Sequence, residues 1–344
     1  MQYRYLGNSG QVIPAMMLGT ATFAGSTEMF KKWGDTKLPQ AKELIKLCMD
    51  NGCYAFDTAD CYSLGDSELI LGEALKDYRR DEVFISTKTG MAMSENPNDI
   101  GTSRVKIIRS VDASLKRLQT DYIDLYYLHC YDAMTPHLES LQALNELVKA
   151  GKIHYFGVSN YSAWHLMKML SVADSYSISR PSAHQAYYSL AAREFENELM
   201  PLGVEEGVGT LVWSPLSGSM LSGRIKRGFE DIKDSRLSTG GAWDIDRNHL
   251  YNITDCLEII QKETGYSFAQ ISLAWVLTRP TVSSLVIGAK NTTQLMSNLK
   301  ASDILLDSQH IEMLDRASQT KLAYPYWHQR FTFNNRDPYS VKRY

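Results

Sequence analysis

The strongest constraint on the fold is a unit that recurs eight times: an apolar run, one or two polar residues, and a segment with helical spacing. The runs lie at 16–20, 53–56, 83–88, 122–128, 153–158, 183–185, 210–213 and 285–287. Strands that alternate with helices pair in parallel through right-handed crossovers. Runs that are apolar throughout are typical of strands buried on both faces. Eight such units predict one closed (β/α)8 TIM barrel.

The segments between the runs carry the apolar periodicity of helices that pack on one face. Apolar residues recur at steps of three and four behind Ser103, which is a predicted N-cap. A similar pattern begins behind Ser67, and another ends at Gly151, a residue type that commonly follows a helix. These signals predict helices that cover the outside of the barrel.

Three segments lie outside the repeat. Residues 3–13 surround Gly7-Asn8-Ser9-Gly10 and predict a short hairpin that plugs the bottom of the barrel. Residues 214–250 predict a long loop after the seventh strand, of the kind that forms lids or binding loops. The C-terminal tail, 315–344, is rich in aromatic residues, so we expect it to be packed, either over the mouth or against the barrel wall. No linker divides the chain, which predicts one domain over 1–344.

Composition limits the partners and the compartment. The formal net charge of −3 gives no reason to expect nucleic acid or an anionic membrane surface as a partner. The five cysteines form no CxxC pair, which is typical of free thiols in a reducing compartment. The chain begins without an apolar leader and has no apolar run long enough to cross a membrane. We therefore expect a cytoplasmic protein, and the sequence does not predict its oligomeric state.

Polar residues end three consecutive strands of the predicted barrel. Asp57, Lys88 and His129 follow the second, third and fourth runs, and Tyr62 lies in the loop after the second. Taken singly, each has an ordinary interpretation, such as a helix cap, a solvated lysine or a half-buried histidine. Because the carboxyl ends of barrel strands meet at one mouth, we expect the four side chains to share a pocket.

These four residue types suit proton transfer to a carbonyl oxygen. A tyrosine is a weak acid with a pKa near 10, and a neighbouring ammonium such as Lys88 lowers the pKa of a phenol. Asp57 would hold Lys88 charged, and His129 would position the carbonyl. A carbonyl protonated at oxygen needs a hydride at carbon, and a nicotinamide cofactor is the obvious donor.

Seven segments in this order and spacing resemble the aldo-keto reductase superfamily, of the bacterial type: FDTADCYS, ISTK, LYYLH, YFGVSNYS, HQAYYSL, WSPLSGSMLSGR and VIGAKNTTQLMSNL. The resemblance runs from Tyr3 to about Leu314. It implies that Asp57, Tyr62, Lys88 and His129 match the catalytic tetrad of that family, with Tyr62 as the general acid.

The resemblance also implies a set of residues that bind the cofactor. The residues matched are Gly19, Thr20, Ser159, Asn160, Gln185, Trp213, Ser214, Leu216, Ser217, Gly218, Arg224, Gly288, Ala289, Lys290, Thr292, Gln294 and Asn298. Within it, Ser159, Asn160 and Gln185 would hold the carboxamide of the nicotinamide, and Trp213 would stack on the ring. A helix N-terminus near Thr292 suits a phosphate, and Lys290 favours NADPH over NADH.

Two residues depart from the family pattern, and the substrate pocket is defined only by residue type. Ser63 follows the matched tyrosine where glycine is common, and Ile287 stands where proline is common. The aromatic residues expected at the pocket are Phe23, Trp33, Tyr131, Tyr161, Trp243, Tyr326 and Trp327. Such a lining favours apolar or cyclic carbonyl compounds over highly charged ones.

The sequence therefore predicts an NADPH-dependent oxidoreductase that reduces aldehydes or ketones to alcohols, reversibly, with a small-molecule carbonyl substrate. One alternative is a regulatory protein like the channel-associated β subunits, which share this fold and keep the cofactor. Another is an aldolase that forms a Schiff base on Lys88. The predicted cofactor segments at 213–224 and 288–298 argue against the aldolase.

Overall fold

The computed structural model describes residues 1–232 and 245–336, in which eight parallel strands close into a barrel. With the four strands of two small hairpins included, the strands of the described residues are β1 Tyr3–Tyr5, β2 Val12–Pro14, β3 Met16–Gly19, β4 Ala55–Asp57, β5 Phe84–Thr89, β6 Ile123–Leu128, β7 Ile153–Ser159, β8 Ala183–Tyr187, β9 Gly209–Trp213, β10 Ile225–Lys226, β11 Phe229–Glu230 and β12 Val282–Ile287. Their order around the barrel is β12-β3-β4-β5-β6-β7-β8-β9. The predicted (β/α)8 fold is confirmed.

Helices follow the barrel strands and bury one face against them. They are α1 Glu28–Lys31, α2 Leu38–Asp50, α3 Asp66–Leu75, α4 Arg104–Leu118, α5 His137–Lys149, α6 Ala163–Ser175, α7 Phe195–Glu206, α8 Arg247–Thr264, α9 Phe268–Leu277, α10 Thr292–Leu299, α11 Ser308–Ala317 and α12 Tyr326–Arg336. Ser103 caps α4 by accepting a hydrogen bond from the backbone N–H of Lys106, as expected. Ser67 is not a cap. It lies inside α3, and its buried hydroxyl donates to the carbonyl of Thr20 at 2.8 Å.

The N-terminal hairpin seals one end of the barrel. Strands β1 and β2 pair antiparallel, and the connection between them buries Leu6 completely. Leu6 and Ile13 pack against side chains that point into the barrel, among them Met17, Phe84 and Leu211. Because Phe84 and Ala183 open their strands, this apolar plug lies at the N-terminal ends, opposite the predicted mouth.

The loop after the seventh barrel strand is shorter than predicted at its far end. A 3-10 segment at 217–222 and the small hairpin of β10 and β11 follow β9. Helix α8 begins at Arg247 behind the N-cap Asp246, so 247–250 are helical rather than part of the loop. Residues 233–244, which include the expected pocket residue Trp243, lie outside the described residues.

The expectation of a packed tail is wrong for its described part. Tyr324 is 75% exposed, Trp327 52% and Phe331 69%, and the last two lie four residues apart on one face of α12. Tyr326 hydrogen-bonds Glu198 of α7, which places the tail beside an outer helix of the barrel. Aromatic content predicted burial, but the rings of Trp327 and Phe331 in α12, and of Tyr324 just before it, are exposed. Residues 337–344 lie outside the described part of the chain.

Within residues 1–232 and 245–336, every helix is too short or too polar to cross a lipid bilayer.

A glycine in the hairpin turn provides a test of the plug. Gly7 has a left-handed φ of +57°, and a Cβ placed there would lie 2.3 Å from the carbonyl oxygen of Gly207 and 2.5 Å from the nitrogen of Gly209. We expect Gly7→Ala to lower the free energy of unfolding by about 2 kcal/mol or more, through backbone strain and this collision. Gly10→Ala is the matched control, because nothing lies within 4 Å of its added Cβ. Thermal unfolding that shifts equally in both variants would contradict this view of the plug.

Candidate active site

The ends of three neighbouring strands bring the expected polar residues to one mouth. Asp57 ends β4, Lys88 is the fifth residue of β5, and His129 follows β6 directly. In the parallel register of the barrel, Asp57 pairs with Ser86 and Lys88 pairs with Tyr127, so the three strands end at the same side of the barrel. A 3-10 turn at 62–65 carries Tyr62 over them. The barrel topology thus places the four residues together, as the sequence predicted.

A buried ion pair joins two of these residues. The Nζ atom of Lys88 donates to Oδ2 of Asp57 at 2.5 Å and to the carbonyl of Thr58 at 2.7 Å. The other carboxylate oxygen, Oδ1, accepts from Ser86 Oγ at 2.6 Å and from Gln185 Nε2 at 2.9 Å. Burial alone would lower the pKa of Lys88, but Asp57 and Tyr62 reverse this and raise it. The lysine is therefore a fixed positive charge.

Tyr62 lies beside that charge. The Nζ atom of Lys88 is 5.1 Å from the centroid of the Tyr62 ring. Burial raises the pKa of the Tyr62 phenol to about 12, although Lys88 opposes this shift. The expected lowering by Lys88 is thus present but smaller than the cost of burying a phenolate, which sequence patterns do not measure. Tyr62 consequently keeps its proton at neutral pH.

His129 is a neutral side chain in this site. Burial, with a smaller contribution from Lys88, lowers the pKa of its imidazole to about 3. Its ring lies edge-on to Tyr62, with centroids 5.9 Å apart. The backbone of His129 is held by Thr89, whose carbonyl accepts its N–H at 2.7 Å, and by Asn160, whose side chain donates to its carbonyl at 3.1 Å. A neutral imidazole can donate one hydrogen bond to a carbonyl oxygen.

The first departure from the family pattern has a visible local basis. Ser63 adopts a left-handed φ of 51°, a conformation that glycine takes more easily. Its hydroxyl donates to the carbonyl of Phe23 at 3.1 Å and accepts from the N–H of Ser26 at 3.4 Å. These bonds tie the turn that carries Tyr62 to the loop after the first barrel strand, and they offset part of the strain.

The four residues expected at the nicotinamide form a connected group. The indole N–H of Trp213 donates to Asn160 Oδ1 at 3.0 Å, and Asn160 Nδ2 donates to Ser159 Oγ at 3.0 Å. Gln185 donates to Asp57, whose carboxylate only accepts, so the nitrogen of the Gln185 amide faces the carboxylate. Tyr187, which the sequence reasoning missed, stacks on Trp213 with centroids 4.9 Å apart.

The loop after β9 has an unusual backbone. Ser214, Ser217, Gly218 and Ser219 all have positive φ. The N–H groups of Ser217, Gly218 and Ser219 donate within the loop, to Ser214 and to the carbonyl of Leu216, which makes this turn compact. Leu216 precedes this 3-10 segment, and Arg224 at its far end pairs with Asp231 at 3.8 Å.

The expected cofactor-binding residues at 19–20 and 288–298 include both exposed and buried side chains. Gly288, Lys290, Thr292 and Gln294 are exposed around the start of α10, whose N-cap is Asn291. Ala289 and Asn298 are buried in the same segment, and Gly19 lies close to Val286 of the neighbouring strand β12. Thr20 is fully buried and donates to the carbonyl of Asp57 at 3.2 Å. The side chains of Thr20 and Asn298 are enclosed by the protein, and their contact with a cofactor stays a prediction.

The expected pocket aromatics separate into three groups. Tyr131 and Tyr161 meet edge-on with centroids 5.5 Å apart, next to the strand ends that carry His129 and Asn160. Trp33 contacts Phe30, whose ring lies 5.6 Å from Tyr62. Phe23 is a fully buried core residue, so it does not line an open pocket as expected.

The aromatic lining of the mouth differs from the prediction at Phe30 and in the tail. Phe30 was missed because the sequence gives no sign that helix α1 folds back over the mouth. Tyr326 and Trp327, expected at the pocket, lie in α12 beside α7, and no contact of theirs within the described residues reaches the four mouth residues.

The fold and the site define a barrel enzyme in which a protonated tyrosine and a charged lysine meet at the carboxyl ends of the strands. A model of the Aldo/keto reductase family matches residues 15–319. The chain belongs to the aldo/keto reductase family, and it is an oxidoreductase by that membership.

Relatives over nearly the whole length carry names of two kinds. A probable voltage-gated potassium channel subunit beta of Oryza sativa is 34% identical over 93% of this chain and 98% of that protein. An uncharacterized oxidoreductase of Bacillus subtilis is 34% identical over 92% of this chain and 95% of its own length. A putative aryl-alcohol dehydrogenase of Saccharomyces cerevisiae is 32% identical over 90% of this chain and 95% of that protein.

The low pKa of His129 predicts an acid-dependent loss of stability. Its ordinary value of 6.5 falls to about 3 in the folded chain, so between these values only the unfolded chain binds the proton. The stabilisation is present above pH 6.5 and is lost as pH falls toward 3, by about 1.4 kcal/mol per pH unit. We expect His129→Gln to lose less stability than the wild type between pH 7 and 4 in denaturant unfolding. His328→Gln, at an exposed position, is the control; equal slopes for all three proteins would contradict the prediction.

Proposed function

We propose that the protein is an NADPH-dependent reductase of small aldehydes and ketones that also oxidises the corresponding alcohols. The observation that carries the proposal is the buried Lys88–Asp57 pair beside a protonated Tyr62. This arrangement supplies a general acid at a site from which water is largely excluded. A bound nicotinamide would supply the hydride for the carbonyl carbon.

In this proposal each mouth residue has one task. Tyr62 gives its proton to the carbonyl oxygen, and the Lys88 ammonium stabilises the phenolate that results. Asp57 fixes the lysine through its 2.5 Å contact. Neutral His129 donates to the same carbonyl oxygen and orients it. Trp213, Asn160 and Gln185 would hold the nicotinamide, and the loop at residues 214–219 would close over the pyrophosphate.

The charge state of Lys88 weighs against the aldolase. A Schiff base requires an unprotonated amine, and such lysines usually have a lowered pKa. Here the net effect of burial, Asp57 and Tyr62 is to raise the pKa of Lys88. The amine also has two acceptors within 2.7 Å, which favours a fixed cation over a nucleophile.

A regulatory role is the second candidate, because several relatives are named as potassium channel subunits beta. Such a protein would bind the cofactor with weak turnover or none. The assembled set of Asp57, Tyr62, Lys88 and His129 supports the reductase; because regulatory subunits of this fold can keep the same four residues, turnover is the property that distinguishes the two roles. We also propose a cytoplasmic location. NADPH oxidation across a panel of aromatic aldehydes, cyclic ketones and keto-sugars separates the two roles, since a purely regulatory protein would turn over none of them.

The role of Tyr62 predicts a loss of chemistry without a loss of cofactor binding. We expect Tyr62→Phe to lower kcat for aldehyde reduction by at least about 100-fold, because the phenol is the proton donor. Quenching of tryptophan fluorescence by NADPH should remain near the wild-type value. Tyr187→Phe, which removes a hydroxyl that donates to Ser217, is the control for a hydroxyl lost nearby. A Tyr62→Phe variant that kept most of its rate would show the assigned acid to be wrong.

The position of Lys290 predicts the preference between cofactors. It is exposed just before α10, where its ammonium would meet the 2′-phosphate of NADPH. We expect Lys290→Ala to raise the KM for NADPH about tenfold while that for NADH changes little, because NADH lacks this phosphate. Lys300→Ala, at an exposed lysine after the same helix, is the matched control. A loss of affinity that is equal for both cofactors would refute the assignment.

A further inference from the structure

Cys61 contacts the histidine of the mouth from the residue before Tyr62. Its Sγ atom lies 3.6 Å from Nδ1 of His129 and 3.7 Å from Sδ of Met91. The side chain is only 6% exposed. Its thiol is therefore enclosed by these two partners and directed at one particular ring nitrogen.

The nitrogen that Cys61 contacts decides what His129 can do. A neutral imidazole carries one proton, on Nδ1 or on Nε2. The hydrogen bond made by one nitrogen therefore determines whether the other nitrogen is protonated. His129 stays neutral above about pH 3, because burial and Lys88 keep the pKa of its imidazole low. With Nδ1 turned to Cys61, the opposite nitrogen, Nε2, is the one left for a substrate.

Two arrangements of the protons satisfy the contacts. In the first, the thiol donates to Nδ1, the imidazole carries its proton on Nε2, and the contact with Met91 is a packing contact without a hydrogen bond. In the second, Nδ1–H donates to sulfur and the thiol donates to Met91. Burial raises the pKa of the Cys61 thiol to about 12, so the thiol keeps a proton to donate. An imidazole nitrogen is a better acceptor than a thioether sulfur, which is a weak one.

We propose that the Cys61 thiol donates to Nδ1 of His129 and thereby holds the imidazole in the tautomer with its proton on Nε2. Cys61 is then a positioning residue that acts through His129 and touches neither substrate nor cofactor. The Nε2–H group donates to the carbonyl oxygen that receives the proton of Tyr62. The other tautomer would present a lone pair to that oxygen and repel it. This inference rests on the proposed reductase function for its consequence, but not for its geometry.

The tautomer can be read directly by nitrogen-15 NMR on the full chain labelled at histidine. Long-range couplings to the ring protons distinguish a protonated from an unprotonated nitrogen, and His129→Gln assigns the signal among the eight histidines. In the wild type at pH 7 we expect Nε2 to be protonated and Nδ1 not. A wild-type His129 protonated on Nδ1 would overturn the proposal, whether or not the protein reduces carbonyl compounds.

Two substitutions test whether Cys61 is the cause. Cys61→Ala removes the donor, so we expect a mixture of tautomers and a kcat lower by about tenfold, with the KM for NADPH unchanged. Cys61→Ser keeps a donor at the same place and should restore both the single tautomer and most of the rate. If Cys61→Ala keeps the single Nε2–H form, the proposal fails. If instead no variant, including the wild type, turns over any substrate while the tautomers behave as expected, only the reductase function fails.

Discussion

The buried pair of Lys88 and Asp57 is the interaction on which the mouth of the barrel depends. Two opposite charges removed from water cost several kcal/mol each unless further hydrogen bonds satisfy them. Here the carboxylate receives Ser86 and Gln185 as well as the lysine, and the lysine also donates to Thr58. The pair thus joins β4, β5 and β8 at their carboxyl ends. Loss of one partner would leave a buried charge without compensation, so the same contact serves the stability of the mouth and its electrostatic character.

The contact with Gln185 links the proton-transfer residues to the proposed nicotinamide site. Because the carboxylate of Asp57 only accepts, the amide of Gln185 can face it only with its nitrogen. Its oxygen is then directed away from that carboxylate. Asn160 is fixed in a comparable way, since Trp213 donates to its oxygen while its nitrogen donates to the carbonyl of His129. Both amides are oriented by protein groups before any ligand arrives, which lowers the entropic cost of ordering them.

The difference between what the sequence predicted and what it missed has a physical cause. Strand and helix periods are local, and barrel closure follows from their number, so Asp57, Lys88 and His129 were expected at one mouth and lie there. The direction of the Tyr62 pKa shift was predicted wrongly. The shift is the balance between burial, which raises the pKa, and the attraction of Lys88, which lowers it, and a sequence gives the size of neither effect. The covering of Tyr62 by Phe30 comes from a loop that folds back, which has no periodic signal. The exposure of the aromatic residues of α12 could not be predicted from composition, because residue type does not determine which face of a helix packs against the barrel.

The protonation states in the mouth form a consistent pattern. Lys88 is charged, His129 is neutral and Tyr62 keeps its proton. Burial penalises every charge here, so the one cation persists because Asp57 lies against it, and a second cation on His129 is disfavoured by that same lysine. Tyr62 is then the group whose proton can move with help from its surroundings, since the phenolate would form next to an ammonium that is already in place. A site that held this ammonium less firmly would stabilise the phenolate less, and the burial that excludes water would then oppose the transfer of the proton.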